Sequence, residues 1–162
     1  MIRAQVIRDF RPGDEAALRE LCMASIAGLG CRSYTAEQLT AWQGRVPEAS
    51  RYQERVAGGA MIFVSTDEAD GTPAAYALLE PDGHLDRLYC HPAHAGRGHA
   101  SALLAHAERI GRQLGVSRLF TEASEVARPV FERAGYAVSH RRDFEVDGVA
   151  IHNYAMEKLL AA

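Results

Sequence analysis

The segment from His84 to Gly115 constrains the fold of this chain more than any other. His84 to Cys90 reads as a strand, and Gly98 to Leu114 as a long helix whose buried stripe is Ala100, Leu103, Leu104, Ala107, Gly111 and Leu114. Glu108 and Arg112 pair at i,i+4 on that helix, and Gly115 stops it. Leu119 to Ala123 is the next strand, so strand, helix and strand form a crossover that lays the helix on a sheet. Between the first strand and the helix stands His91-Pro92-Ala93-His94-Ala95-Gly96-Arg97-Gly98-His99-Ala100. A helix start presents unpaired N–H groups and the positive end of the helix dipole. Gly96 and Gly98 let the backbone turn so that successive amides converge on an anion. Such a loop suits a phosphate or pyrophosphate, and Ala100 keeps the surface small where the ligand approaches.

The remaining elements fit around this crossover. Ala4 to Arg8 is a strand. Asp14 is the expected N-cap of a helix with Leu18, Leu21, Cys22, Ser25, Ile26 and Leu29 on one side, ended by Gly28 and Gly30. Thr35-Ala36-Glu37-Gln38 has the spacing of a capping box and starts a short helix carrying Leu39 and Trp42. Residues 44–57 are polar and without period, a loop or irregular helix suited to a flap over a substrate. Ala60 to Val64 and Thr72 to Glu80 flank the turn Asp67 to Gly71 as a hairpin, and Pro81-Asp82-Gly83 turns into the His84 strand. Pro129 fits the first turn of a short helix ending before Gly135. Tyr136 to Val146 and Val149 to Glu157 close the chain as a hairpin about Asp147-Gly148. The order describes one α/β (α+β) domain over residues 1–162, with a mixed, mostly antiparallel central sheet of about seven strands and helices on both faces.

Composition narrows the function. At 162 residues and 48% apolar content, the chain can bury roughly 70% of its unfolded surface without disulfides or a structural metal. Cys22, Cys31 and Cys90 are odd in number and far apart, so no disulfide framework is expected. A net charge of −3 argues against a general nucleic-acid or membrane-surface binder. The longest apolar run, Ala74 to Leu79, is too short to span a bilayer. Arg3, Arg8 and Asp9 interrupt any signal-peptide core, which makes the cytoplasm the expected compartment. His91, His94 and His99 lack the partners and spacing of a zinc site, so no metal is expected. A P-loop needs Gly-Lys-Ser/Thr, and a dinucleotide fingerprint needs a third glycine where Ser101 stands; both are excluded.

Leu88-Tyr89-Cys90-His91-Pro92, followed by Gly96-Arg97-Gly98-His99-Ala100-Ser101-Ala102-Leu103-Leu104, resembles the acetyl-CoA-binding signature of the GNAT-type N-acetyltransferase superfamily. Ala127-Arg128-Pro129-Val130-Phe131-Glu132-Arg133-Ala134-Gly135-Tyr136 resembles its second signature, a short helix ending in glycine and an aromatic. The element order matches over nearly the whole chain. Gly83-His84-Leu85-Asp86 and the Ser124 to Pro129 segment are similar to the bacterial YafP-type subgroup. The resemblance implies that acetyl-CoA, the co-substrate, lies in a V where the His84–Cys90 strand splays from the Leu119–Ala123 strand. Amides of Leu88 and Cys90, flanking Tyr89, would pair with the pantetheine arm, and amides from Gly96 through Arg97, Gly98, His99 and Ala100 to Ser101 would hold the pyrophosphate. Ala95 stands where the family usually has Gln or Arg, Ser124 where it has Asn, and Phe131 where it has the tyrosine that protonates the departing thiolate. Phe131 donates no proton.

An amine of pKa near 10 is mostly protonated at neutral pH, and freeing it costs roughly 4 kcal/mol. A general base is therefore expected, acting directly or through water. His84 and Asp86 stand two apart on one strand and share a face, and basic residues at these places often serve as the base in the superfamily. The other reading pairs Asp86 with an arginine and leaves His84 a polar strand-edge residue. Tyr154, on a closing strand, either replaces the missing acid or packs in the core, and Glu122 either orients an amine or lies at the surface. Cys90 reads as a small buried hydrophobe. The expected activity is direct acetyl transfer to a primary amine of a small molecule or peptide in a ternary complex. The alternatives are a catalytically silent acyl-CoA-binding or sensing module and a nucleotide-binding regulator using the same loop. The closing hairpin also offers an edge for pairing in a homodimer.

Overall fold

Side-chain alternation along the two central strands decides the architecture of the computed structural model, which describes residues 5–161. β2 (Met61–Thr66) and β3 (Pro73–Leu79) are buried along almost their whole length. They lie inside a four-stranded antiparallel sheet ordered β1 (Val6–Asp9), β2, β3, β4 (Leu85–Cys90). Phe63, Ala75, Ala77 and Leu79 point to one face, where Leu103, Leu104 and Ala107 of α4 (His99–Leu114) cover them. Ile62, Val64, Tyr76 and Leu78 point to the other, against Leu18, Leu21, Cys22 and Ile26 of α1 (Glu15–Gly30). Each fully buried leucine here stabilises by about 1.5–3 kcal/mol. The expected start of the first strand at Ala4 lies outside the described residues.

A second antiparallel sheet is ordered β5 (Arg118–Ala123), β7 (Val149–Leu159), β6 (Ala137–Val146). The expected seven strands with helices on both faces are thus present, divided into two sheets. These touch at one parallel bridge, His84 to Phe120, among the described residues. There Phe120 N–H donates to the Gly83 carbonyl at 3.1 Å, and Thr121 Oγ1 donates to the Leu85 carbonyl at 2.7 Å. Beyond this point β4 and β5 diverge. The cause lies in β4: Leu78 pairs with Arg87 but Leu79 with Leu85, leaving Asp86 as an extra residue. Such a bulge bends its strand and increases the local twist.

The junction depends on a glycine. Gly83 has φ +99°, and a Cβ there would overlap the Arg118 carbonyl. Gly83→Ala is expected to lower stability by about 2–4 kcal/mol, since left-handed strain adds to a parting of the sheets. The urea midpoint should fall with the m-value unchanged; an unmoved midpoint would show that the two sheets are not locked together there.

Three local expectations are corrected. Residues 44–49 are turn and loop as expected, but Ser50–Ala57 is a regular helix, α3, packed on the core and not a flap. Its Tyr52 is driven into the core beside Tyr76, with the two hydroxyls 2.9 Å apart. Gly28 does not end α1, which runs to Gly30. Instead it admits the Pro92 ring, which a Cβ would strike, and so seats the 3-10 turn Pro92–His94 on the helix. Asp14 stands at the N-cap, but its carboxylate turns back to accept the Arg11 N–H and the Arg8 guanidinium, each at 2.8 Å. The capping box forms as expected, with Thr35 Oγ1 accepting from Gln38 N at 3.2 Å and Gln38 Oε1 from Thr35 N at 2.9 Å, and starts α2 (Ala36–Gln43). Among the described residues no helix is long and apolar enough to cross a membrane.

Candidate active site

The turn before α4 forms a cradle of main-chain donors. Gly96 and Gly98 take φ of +77° and +88°, so the backbone folds through the left-handed region twice in three residues. The N–H groups from Gly96 to Ser101 find no main-chain acceptor among the described residues, and the first helical bond runs from Ala102 N to Gly98 O at 3.0 Å. Unpaired donors at the positive end of a 16-residue helix attract negative charge. Gln5 Nε2 steadies the loop by donating to the Arg97 carbonyl at 2.7 Å. His99 belongs to the cradle through its backbone only. Its buried ring lies 2.7 Å, Nδ1 to Oγ, from the buried Ser65 of β2. Burial, seconded by the positive charge at His94 and Arg97, lowers its pKa.

The edge of β4 continues from this cradle. His91 N–H bonds to the Ala74 carbonyl, and the register sets Tyr76 opposite Tyr89. In an antiparallel ladder bonding sides alternate, so the N–H groups of Leu88 and Cys90 point away from β3, into the gap that β5 leaves open. A cavity of about 100 Å³ occupies this gap, walled by Ile26, Trp42, Leu88, Cys90, Ala100, Ser124, Ala127 and Val130. Trp42, Tyr89 and Ser124 are shared with a larger cavity of about 330 Å³, whose wall includes Tyr34, Asp86, Glu122, Arg142, Phe144 and His152. A narrow cleft therefore runs from the cradle to a roomier chamber whose mainly apolar wall carries charged groups. Ser124 Oγ accepts the Ala127 N–H at 3.1 Å and fixes the turn into α5 (Arg128–Arg133). Phe131 is buried in the core, its ring edge-on to Tyr136. Burial pushes the Cys90 thiol up to about 11, which leaves it protonated and unreactive.

His84 and Asp86 are brought together, with Nε2 and Oδ1 at 4.0 Å, but each has other partners. His84 Nδ1 lies 2.9 Å from Glu80 and Nε2 3.0 Å from Glu122, with the ring stacked on Phe120. Asp86 accepts Arg55 Nη1 at 3.0 Å, and Arg55 also reaches Glu80 at 3.3 Å. Asp86 and Glu122 line the larger cavity, and His84 stands behind them. Glu80, His84 and Asp86 bring ligand-type atoms within 4.8 Å, but the Arg55 guanidinium already neutralises both carboxylates. Burial pulls the His84 pKa down, and the charges of Glu122, Glu80 and Asp86 outweigh it, so the net shift is upward. A raised folded-state pKa contributes stability that is complete below the unfolded value, about 6.5, and is lost as pH climbs through the folded one. His84→Gln should therefore cost more stability near about pH 6 than near about pH 9 in paired thermal melts; equal losses would show that no proton is held there.

The arrangement also contains a group that sequence reasoning missed. His152 Nε2 lies 2.6 Å from Glu125 Oε2, and the Tyr154 hydroxyl donates to the same oxygen at 2.7 Å. The Tyr34 hydroxyl accepts the Glu125 N–H at 2.8 Å and donates to the His152 carbonyl at 2.9 Å, tying loop to strand. Hydrogen bonds from His152 and Tyr154 outweigh burial and hold the Glu125 pKa below its usual range. Tyr154 lines neither cavity, and the Arg128 guanidinium lies over its ring. The available signal was the i,i+2 spacing of His152 and Tyr154 on one strand face; their partner Glu125 lies far back in sequence.

The fold has counterparts among known proteins. YafP, an uncharacterised N-acetyltransferase of Escherichia coli K12, is 28% identical over 150 residues, covering 93% of each chain. A GCN5-related N-acetyltransferase of Rhodopseudomonas palustris superposes with a TM-score of 0.89 at 28% identity, over 99% of this chain and 98% of that one. The PaiA N-acetyltransferase of Thermoplasma acidophilum, solved in complex with coenzyme A, shares the fold at a TM-score of 0.77 and 18% identity, over 98% of this chain and all of its own. The family model of the acetyltransferase (GNAT) domain matches residues 31–158, most of the chain, and the protein belongs to that family.

Proposed function

We propose that this protein transfers the acetyl group of acetyl-CoA to a primary amine bound in the larger cavity, by direct attack within a ternary complex. The observation that carries this reading is the continuous line from the Gly96–Ser101 cradle, along the outward N–H groups of Leu88 and Cys90, to the chamber behind Trp42, Tyr89 and Ser124. The pyrophosphate sits on the cradle amides, and Ala95 adds no side-chain contact. The pantetheine arm takes the place of the missing strand beside β4, and a strand amide polarises the thioester carbonyl. The coenzyme A complex of the Thermoplasma relative supports this cofactor class.

Glu122 places negative charge on the acceptor wall and draws in an ammonium, with His84 positioning it from behind. His152 takes one proton from the ammonium and so frees the nitrogen lone pair for attack, and the second proton passes from the acylated nitrogen to water or the departing thiolate; Glu125 orients the ring through Nε2, and Tyr154 orients Glu125. The C–N bond forms, the C–S bond breaks, and the thiolate departs without help from Phe131. Holding both reactants in one cleft supplies much of the rate. Phe131 favours one second reading, a silent acyl-CoA-binding module. Thiol release from acetyl-CoA with a panel of amines, beside thermal stabilisation by CoA, separates the two. Stabilisation with amine-dependent release is expected. Stabilisation without release from any amine class favours the silent module, and stabilisation by ATP or NAD but not CoA overturns both.

A further inference from the structure

A third cavity, between α3 and β4, has no part in this chemistry. It measures about 100 Å³ and is walled by Arg51, Arg55, Arg87, Tyr52, Pro47 and Leu78, with three guanidinium groups and no carboxylate. Arg87 points inward from β4, its guanidinium 5.5 Å from the centre of the Tyr52 ring and Nη1 donating to the Tyr52 hydroxyl at 3.5 Å. Among the described residues it makes no ion pair. Arg51 pairs with Glu54 at the surface, and Arg55 divides itself between Glu80 and Asp86. A sheltered cation without a counter-charge is costly, and like charges facing one small space add repulsion. A single carboxylate or phosphate group fits the space and answers both costs, because guanidinium forks grip planar and tetrahedral oxyanions through paired N–H donors.

We propose that this cavity binds a small oxyanion, held by Arg87 and Arg51 with Arg55 turning in from Asp86. The site is separate from the pyrophosphate cradle and stands whether or not the acetyl-transfer reading does. Because Arg55 is shared, Asp86 competes with the anion for it.

The test is calorimetric titration of the full chain with inorganic phosphate and, separately, with acetate, at ionic strength held constant with chloride. Each titration is run with and without saturating CoA, which keeps phosphate off the cradle. Saturable binding of at least one anion is expected, and which one responds identifies a phosphate or a carboxylate ligand. Arg87→Gln should weaken it by at least about tenfold, the loss of one charge-assisted contact. The exposed Arg51→Gln, a second variant that leaves the core untouched, should weaken it by about threefold, as a partly solvated contact does. Asp86→Asn should tighten binding by a similar factor by releasing Arg55. Absence of saturable binding in the wild type, or affinities unchanged by both arginine variants, would overturn the site. An unchanged affinity in Asp86→Asn would overturn the sharing of Arg55.

Discussion

Gly98→Glu is expected to abolish measurable CoA binding while leaving the domain folded. Two effects combine at this position. The residue sits at φ +88°, where an L side chain is strained by about 1–2 kcal/mol. The space beyond it is open, for a Cβ would meet only Gln5 Nε2, at 3.8 Å. A glutamate is thus accommodated, and its carboxylate enters the cradle that the pyrophosphate needs. Charge-assisted amide bonds contribute about 1.5–3 kcal/mol each, so losing two of them to the protein's own carboxylate weakens binding by about 10²–10⁴-fold. Gly98→Ala carries the same strain without the charge and should lose only about tenfold. Calorimetric titration with CoA distinguishes them. Retained affinity in Gly98→Glu would remove the loop from the binding site.

The second large effect is expected at His152. His152→Gln should lower kcat by about 10²–10³-fold at neutral pH with the Kd for CoA unchanged, the mark of an interaction used in the chemical step. Glu125→Gln keeps an acceptor for the ring but removes the carboxylate that His152 and Tyr154 share. It should lower kcat by about tenfold with the Kd for CoA unchanged, because the ring is then oriented less firmly. Tyr154→Phe should change kcat little, and the shape of the pH profile less. A fully active His152→Gln would return the proton to the Glu122–His84 side of the chamber, where both imidazole nitrogens already face carboxylates.

What could be read from the sequence was local or periodic. The Thr35–Gln38 capping box and the glycines of the cradle each act within a few residues and form as expected, and the α4 stripe is buried at Leu103, Leu104, Ala107 and Gly111, while Ala100 is half-buried and Leu114, at the helix end, is exposed. α3 was legible only as a loop or irregular helix because two residues, Tyr52 and Val56, anchor an otherwise polar segment, and the main anchor is visible only against Tyr76. The bulge at Asp86 is a mismatch with β3 and leaves no mark on β4 alone. Gly28 looked like a helix end because the need for a small residue there comes from Pro92, distant in sequence. The candidate site divides in the same way. Its anion cradle is one continuous segment, whereas the Glu125–His152 pair depends on the β5–β7 register that brings Ala123 opposite Tyr154.

The most direct measurement is a crystal structure of the protein grown with coenzyme A. Pyrophosphate oxygens are expected about 2.7–3.2 Å from main-chain nitrogens between Gly96 and Ser101. The pantetheine amides should pair with Leu88 and Cys90, and the thiol should lie at the Trp42–Tyr89–Ser124 junction. Coenzyme bound elsewhere, or a cradle whose amides turn to acceptors of the protein itself while coenzyme saturates the crystal, would contradict this placement.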